Sequence, residues 1–154
     1  MCFRLTDITM TNSPNTEKTN NFPCPPLAGA FKDMVYCISK KMEVAGCHYL
    51  TLPYESKCSR LHGHNWEITV FLASRELNAV GMVEDFTHIK KKIHGFLDHR
   101  NLNELLPFNP TAENLANWIV QQFPHCYKAI VEESFGNKAQ VFDDEFPIDA
   151  KYLL

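Results

Sequence analysis

The stretch Lys57-Cys58-Ser59-Arg60-Leu61-His62-Gly63-His64-Asn65-Trp66 decides how the rest of this chain is read. Side chains alternate faces along an extended strand, so His62 and His64 point the same way with only Gly63 between them. Two imidazoles on one face make half a metal site. His48 stands at the far end of a preceding strand-like run, Val35 to Cys47, and an antiparallel return brings it beside the pair as a third ligand. Three neutral histidines leave a zinc ion its full charge and one open position, as a catalytic site requires. Cys58, four residues before His62, is close enough to approach the metal's substrate without having to ligate the metal. A lone histidine in a strand is more often a packing or surface residue than a ligand. The third histidine, the nearby cysteine and a later Asp98-His99 weigh against that plain reading.

Composition bounds the possibilities. At 154 residues, with 45% hydrophobic and 12% aromatic content, the chain suits one soluble globular domain with a real core. A net charge of -3 argues against nucleic acid as a partner, and the longest basic run, Lys90-Lys91-Lys92, reads as the solvated face of a helix. The six cysteines lack paired spacing, and neither a signal-like leader nor an apolar run of membrane-spanning length is present. Those features point to reduced thiols, the cytoplasm and no membrane partner.

Outward from the opening stretch, three regions are expected. Residues 1–33, rich in Thr, Asn, Ser and Pro without an apolar period, read as a disordered extension. Residues 34–142 carry the domain, and 143–154, opening on Asp143-Asp144-Glu145, a tail. Within the domain the first strand runs to His48, with Gly46 suggesting a bulge that re-aims it and Cys47 competing for the site. Tyr49 to Leu61 is a loop carrying Cys58, and His62 to Ala73 the second strand, with Trp66, Ile68, Val70 and Leu72 continuing the histidine face into the core. Gly81 to Asp85 suggests a short strand leading into a helix capped near Asp85, whose apolar stripe is Phe86, Ile89, Ile93 and Phe96 or Leu97. Asp98-His99 follows it. Thr111 is the natural N-cap of a second helix that buries Ala112, Leu115, Ala116, Ile119 and Phe123 and is closed by Pro124. Cys126 to Glu133 and Lys138 to Phe142 form a hairpin across Phe135-Gly136-Asn137. The expected fold is α+β, an antiparallel four-stranded sheet with two helices packed on one face. The other face and the edges need protection, which points to a homo-oligomer.

The motifs Cys58-x-x-x-His62-Gly63-His64-Asn65, Gly81-Met82-Val83-x-Asp85-Phe86, Leu97-Asp98-His99-x-x-Leu102-Asn103 and Asn109-Pro110-Thr111-x-Glu113-Asn114-Leu115-Ala116, in that order and spacing, resemble the 6-pyruvoyltetrahydropterin synthase family. Within it they are most similar to the bacterial 6-carboxytetrahydropterin synthase branch of queuosine (7-deazaguanine) biosynthesis. The resemblance spans roughly Val35 to Phe142. It implies the tunnelling fold, with trimeric barrels stacked as a homohexamer and active sites between subunits. Zinc would be held by His48, His62 and His64, and Cys58 would be catalytic base or nucleophile, assisted by Asp98 and His99. Glu133 would hold the pterin, with Thr111 also on the substrate side. At Glu133 the match is less clean, because Glu132 stands beside it and strand alternation lets only one of them face inward.

The implied reaction turns 7,8-dihydroneopterin triphosphate into 6-carboxy-5,6,7,8-tetrahydropterin with release of acetaldehyde and triphosphate. A carboxylate can accept the pterin's 2-amino and ring N–H groups together, while zinc acidifies a C–H bond of the substrate's tail and steadies the enediol-like charge that develops. A cysteine that ordinarily titrates at about 8.5 is pushed toward thiolate by a nearby cation. Lys57, Arg60 and Arg100 are candidates for the phosphates. Two alternatives stay open: a pyruvoyltetrahydropterin synthase or related dihydroneopterin-processing lyase, and a non-catalytic zinc- or pterin-binding oligomer. A binding module needs neither Cys58 nor His99.

Overall fold

The computed structural model describes residues 34–154, so the expected extension lies outside the described residues. Strand β1 (Tyr36–His48) and strand β2 (His62–Ser74) pair antiparallel along their whole length, from Tyr36 opposite Ser74 to His48 opposite His62. Helix α1 (Phe86–Leu97) follows, then a two-residue strand β3 (Arg100–Asn101), a one-turn helix α2 (Leu102–Leu105) and helix α3 (Ala112–Val120). Strands β4 (Cys126–Ser134) and β5 (Asn137–Phe142) complete a sheet ordered β3-β1-β2-β4-β5. The α+β class, the antiparallel main sheet and the helical layer on one face are as the sequence indicates.

The core lies between that face and the helices. From β2 it takes Trp66, Ile68, Val70 and Leu72, all fully buried, with Ile89, Ile93 and Leu97 from α1 and Leu115, Ala116 and Ile119 from α3. Those positions are the period-two and period-3.6 apolar positions of their segments, except that Phe86, expected in the stripe of α1, is left exposed in the first turn of the helix. Both long helices begin on caps: Asp85 accepts from the Thr87 amide at 2.7 Å, and Thr111 from the Asn114 amide at 3.2 Å.

Several details differ from expectation. The sheet has a fifth strand, because Arg100 and Asn101 pair parallel with Gly46 and Cys47, and Leu102 behind them drops fully buried into the core from the extra helix α2. Gly81 to Asp85 is not a strand. Asn78 Oδ1 accepts the Val80 and Met82 amides at 3.1 and 2.9 Å, and those bonds curl the segment into turns instead. Gly46 makes no bulge: it sits in register opposite His64, with Cys47 opposite Gly63. Unbroken alternation turns His48 inward and Cys47 outward, which removes the competition between them.

The acidic tail also proves structured. Phe146, Ile148 and Leu153 pack with Val35, Cys37, Phe71, Ala73 and Tyr127 as a second apolar cluster. Cys37, Phe71 and Ala73 alternate with the core-facing positions of β1 and β2, and Tyr127 is the residue skipped where Phe71 pairs with Lys128 and Leu72 with Cys126, so the cluster lies on the sheet face away from the helices. The Tyr127 hydroxyl fixes this cover, accepting the Leu154 amide at 2.9 Å. Part of the face expected to be bare is therefore covered by residues 146–153 of the same chain.

Ile93, buried between α1 and the sheet, tests the layering against Lys91 on the exposed side of the same helix. Ile93→Ala should lower the unfolding free energy by about 2–5 kcal/mol in urea titration, and Lys91→Ala by less than about 0.5 kcal/mol.

Candidate metal centre and its surroundings

The loop-connected end of the β1–β2 hairpin builds the site. Because His48 faces His62, and His64 faces Gly46 with its single hydrogen, three imidazoles share one patch of the helix-side face. Their ring centroids lie 4.6 Å (His48–His62), 4.9 Å (His62–His64) and 5.2 Å (His48–His64) apart. Trp66, two residues further along β2, is the floor, its ring edge-on to His48 at 4.8 Å and to His64 at 5.4 Å. Trp66 is fully buried, so the patch is walled by apolar surface on its inner side.

Backbone carbonyls set two of the rings. Nδ1 of His48 is 2.8 Å from the Pro110 oxygen and Nδ1 of His62 is 2.7 Å from the Arg60 oxygen. A carbonyl can only accept, so each Nδ1 carries the hydrogen and each Nε2 keeps a lone pair. Burial lowers the pKa of His48 most, with the Pro110 carbonyl opposing, and burial likewise lowers that of His64, with Glu133 opposing. Both rings are thus biased toward the neutral form that ligates metals. Nε2 of His48 and Nε2 of His64 are buried without a hydrogen-bond partner among the described residues, which is costly unless something else satisfies them.

A fourth group joins them. Ligand atoms of His48, His62, His64 and Glu133 all lie within 4.8 Å of one another, a donor set that fits a divalent metal. The ambiguity between neighbouring glutamates is resolved by register: Glu132 pairs with Glu67 on the outward face, and its carboxylate accepts the Gly136 amide at 2.8 Å. Glu133 faces the histidines, 3.3 Å from Nε2 of His64.

The sequence motifs also hold the loop that follows His48. Asn103 accepts the Tyr49 amide at 2.8 Å and donates to the Tyr49 carbonyl at 2.8 Å, and Asn109 does the same for Thr51 at 3.0 and 3.2 Å. Asn114 in turn donates to the Asn109 carbonyl at 2.9 Å. These amides imitate a neighbouring strand. With Pro110 bound to His48, they tie the start of α3 to the metal patch. Thr111 uses its oxygen as the helix cap and still has a hydroxyl hydrogen to donate. The roles of Asn103, Asn109 and the Pro110 carbonyl were not read from the sequence, although all three residues stand within its quoted motifs.

Among the described residues, no hydrogen bond joins Cys58 to the Asp98–His99 pair. Cys58 sits in a short 3-10 turn, Lys57–Ser59, capped by Ser56, and its carbonyl accepts the Leu50 amide at 2.8 Å. Cys58 is not among the grouped ligand atoms. Asp98 and His99 lie at the other edge of β1: Asp98 Oδ1 accepts the Ala45 amide at 3.0 Å and its Oδ2 is 2.8 Å from Nδ1 of His99. The His99 hydrogen bond, followed by that from Ala45, holds the Asp98 carboxyl below the usual carboxylate range. The His99 ring is 81% exposed beside an open cup lined by Cys47, Gly63, Asn65 and Arg100.

The chain is similar to several known proteins, to differing extents. The protein is 30% identical over 114 residues to a Bacillus subtilis 6-carboxy-5,6,7,8-tetrahydropterin synthase, covering 63% of this chain and 78% of that one. It is 36% identical over 94 residues to a Synechocystis protein of the same name, covering 55% and 72%. It is also 43% identical over 65 residues to a Pyrococcus furiosus dihydroneopterin monophosphate aldolase, covering 40% and 54%. The structure of Caenorhabditis elegans 6-pyruvoyl tetrahydropterin synthase superposes with a TM-score of 0.60 at 24% identity, over 74% of this chain and 99% of that one, a likeness of fold. The family model described as 6-pyruvoyl tetrahydropterin synthase matches residues 37–142, a span that includes every residue of the metal patch, and the chain belongs to that family.

Proposed function

We propose that the protein is a zinc-dependent lyase converting 7,8-dihydroneopterin triphosphate and one water to 6-carboxy-5,6,7,8-tetrahydropterin, acetaldehyde and triphosphate, as a step toward a 7-deazaguanine such as queuosine. The observation that carries the proposal is the cluster of three histidines, two of them tautomer-fixed, with an inward glutamate, in a protein that also has Cys58. The names of the bacterial relatives favour the carboxy product. So does the tether of only three residues between Cys58 and His62. A short tether holds the thiol over one carbon of the substrate's tail, and a small displacement is worth orders of magnitude in rate.

Each residue then has a task. Glu133 accepts the pterin's planar N–H edge and fixes the ring. His48, His62 and His64 hold zinc, which supplies Lewis-acid polarisation of the oxygens on the substrate's tail. Cys58 takes the proton from the adjacent carbon, and the Asp98–His99 pair returns or relays it, Asp98 fixing the ring tautomer of His99. Within one subunit that pair bonds to β1 and not to Cys58, and His99 is exposed, so the relay is completed by the Asp98–His99 pair of a neighbouring copy. This favours an assembly with sites between subunits, the homohexamer being the proposed form. A second reading, aldolase-like cleavage of a dihydroneopterin monophosphate, is favoured by the Pyrococcus furiosus relative.

Incubation with 7,8-dihydroneopterin triphosphate, followed by product mass and an aldehyde assay, should give acetaldehyde and the carboxy product. A stable pyruvoyl product without acetaldehyde would overturn that assignment, and turnover of the monophosphate alone would favour the aldolase. The purified protein should carry about one zinc per subunit, and His62→Ala should lose it. Cys58→Ala should keep the metal and the fold while turnover falls by at least about a hundredfold, as loss of a positioned proton-transfer group does. Equal zinc loss in both variants would make Cys58 a ligand.

A further inference from the structure

We propose that Glu133 is a fourth metal ligand in the substrate-free protein, and that it leaves the metal to bind an arriving pterin. Its second half rests on the pterin-processing reading above; the first concerns only this protein and its metal.

Distance is the first ground. Nε2 of His64 and Oε1 of Glu133 are 3.3 Å apart, whereas a charged N–H···O bond is typically about 2.7–2.9 Å. The contact also lacks hydrogen-bond geometry, since Nε2 of His64 counts as unpartnered. Two donors on one tetrahedral zinc, each bonded at about 2.0–2.1 Å, are separated by about 3.3 Å. The pair is spaced as co-ligands are.

The backbone supplies the second ground. In the β4–β5 pairing Glu132 meets Lys138 and Ser134 meets Asn137, so Glu133 is the residue skipped by the ladder. A bulged residue is unpaired and its side group re-aimed, a device common beside functional sites. Alternation on β4 already faces Glu133 toward the histidines, and the skip leaves it outside the β4–β5 ladder, free to shift without breaking that pairing.

Charge supplies the third. Three neutral imidazoles preserve the full charge of a divalent ion, and a carboxylate on the same ion cancels half of it. The pterin edge takes both carboxylate oxygens in bidentate fashion, so Glu133 cannot serve ring and metal fully at once. Seating the ring removes Glu133 from the metal, and the Lewis acidity rises only when substrate is present. The metal is thereby kept from activating water in the empty site.

The test uses the full-length protein in its zinc and cobalt forms, with Glu133→Gln, Glu133→Asp and His62→Ala. Zinc affinity is measured by chelator competition, and coordination by the visible absorption of bound cobalt. The probe is 2-amino-4-oxopteridine, the bare ring system without a tail. Glu133→Gln should weaken zinc at least about tenfold, a loss that even an outer partner of a ligand commonly causes. It should also change the cobalt spectrum, and Glu133→Asp should fall between it and wild type. The pteridine should shift the wild-type spectrum and leave that of Glu133→Gln unmoved. Wild-type zinc affinity and spectrum in a folded Glu133→Gln would overturn the proposal while the three-histidine site stands. Failure of wild type itself to bind zinc would instead remove the metal reading on which the proposed function rests. A pteridine that binds, by fluorescence quenching, without moving the wild-type spectrum would overturn the displacement step.

Discussion

Everything at the site depends on the uninterrupted antiparallel pairing of β1 with β2. The two strands stay in step right up to the segment that connects them, and that register alone places His48 against His62. A slip of one residue would turn every side group of one strand to the opposite face, sending Trp66 and Ile68 into water together with the histidines. The apolar core and the metal patch are therefore selected by the same constraint. Burying fully apolar residues along β2 is what makes the histidine geometry non-negotiable.

The second layer of organisation is polar and runs through main-chain atoms. Pro110, at the mouth of α3, and Arg60, just before β2, each lend a carbonyl to a ring nitrogen, while Asn103 and Asn109 give the segment after His48 the hydrogen bonds of a strand it lacks. Helix α3 thus has two employments: its apolar side packs on the sheet, and its entry orients the His48 ring. The run Asn109-Pro110-Thr111 is in this light a support for the His48 ring as well as a helix start.

How much of this the sequence disclosed follows from range. Strands β1 and β2, the two long helices and their caps, and the three histidines rest on local alternation or local spacing, and all were legible. Strand β3 and helix α2 are too short for any period to register, and the turn at Gly81 was hidden by apolar neighbours that resemble a strand. The Gly46 bulge was inferred from composition, but pairing over the whole hairpin left no extra residue to accommodate. The choice between Glu132 and Glu133 needed the partner strand. The tail's Phe146 and Ile148 were masked by the acids around them, because a segment that docks with a few large apolar groups has no periodic signature. Contacts of carbonyl oxygens, such as that of Pro110, leave no mark on residue identity at all.

His99 has a backbone cost of its own. Its φ is +55°, in the left-handed region, and its amide donates to the Ala45 carbonyl at 2.6 Å while Asp98 accepts from the Ala45 amide. For a residue with a Cβ this conformation costs about 1–2 kcal/mol, which the anchoring on β1 sustains. Substitution at this corner is consequently filtered twice, by different physics. Glycine and asparagine satisfy the dihedral and forfeit the imidazole, while valine, isoleucine and threonine fail at the main chain before their chemistry is ever tested. Divergence among descendants of this protein should leave position 99 either histidine or one of those two small escapes, with the escapes marking lineages that have given up whatever the ring does.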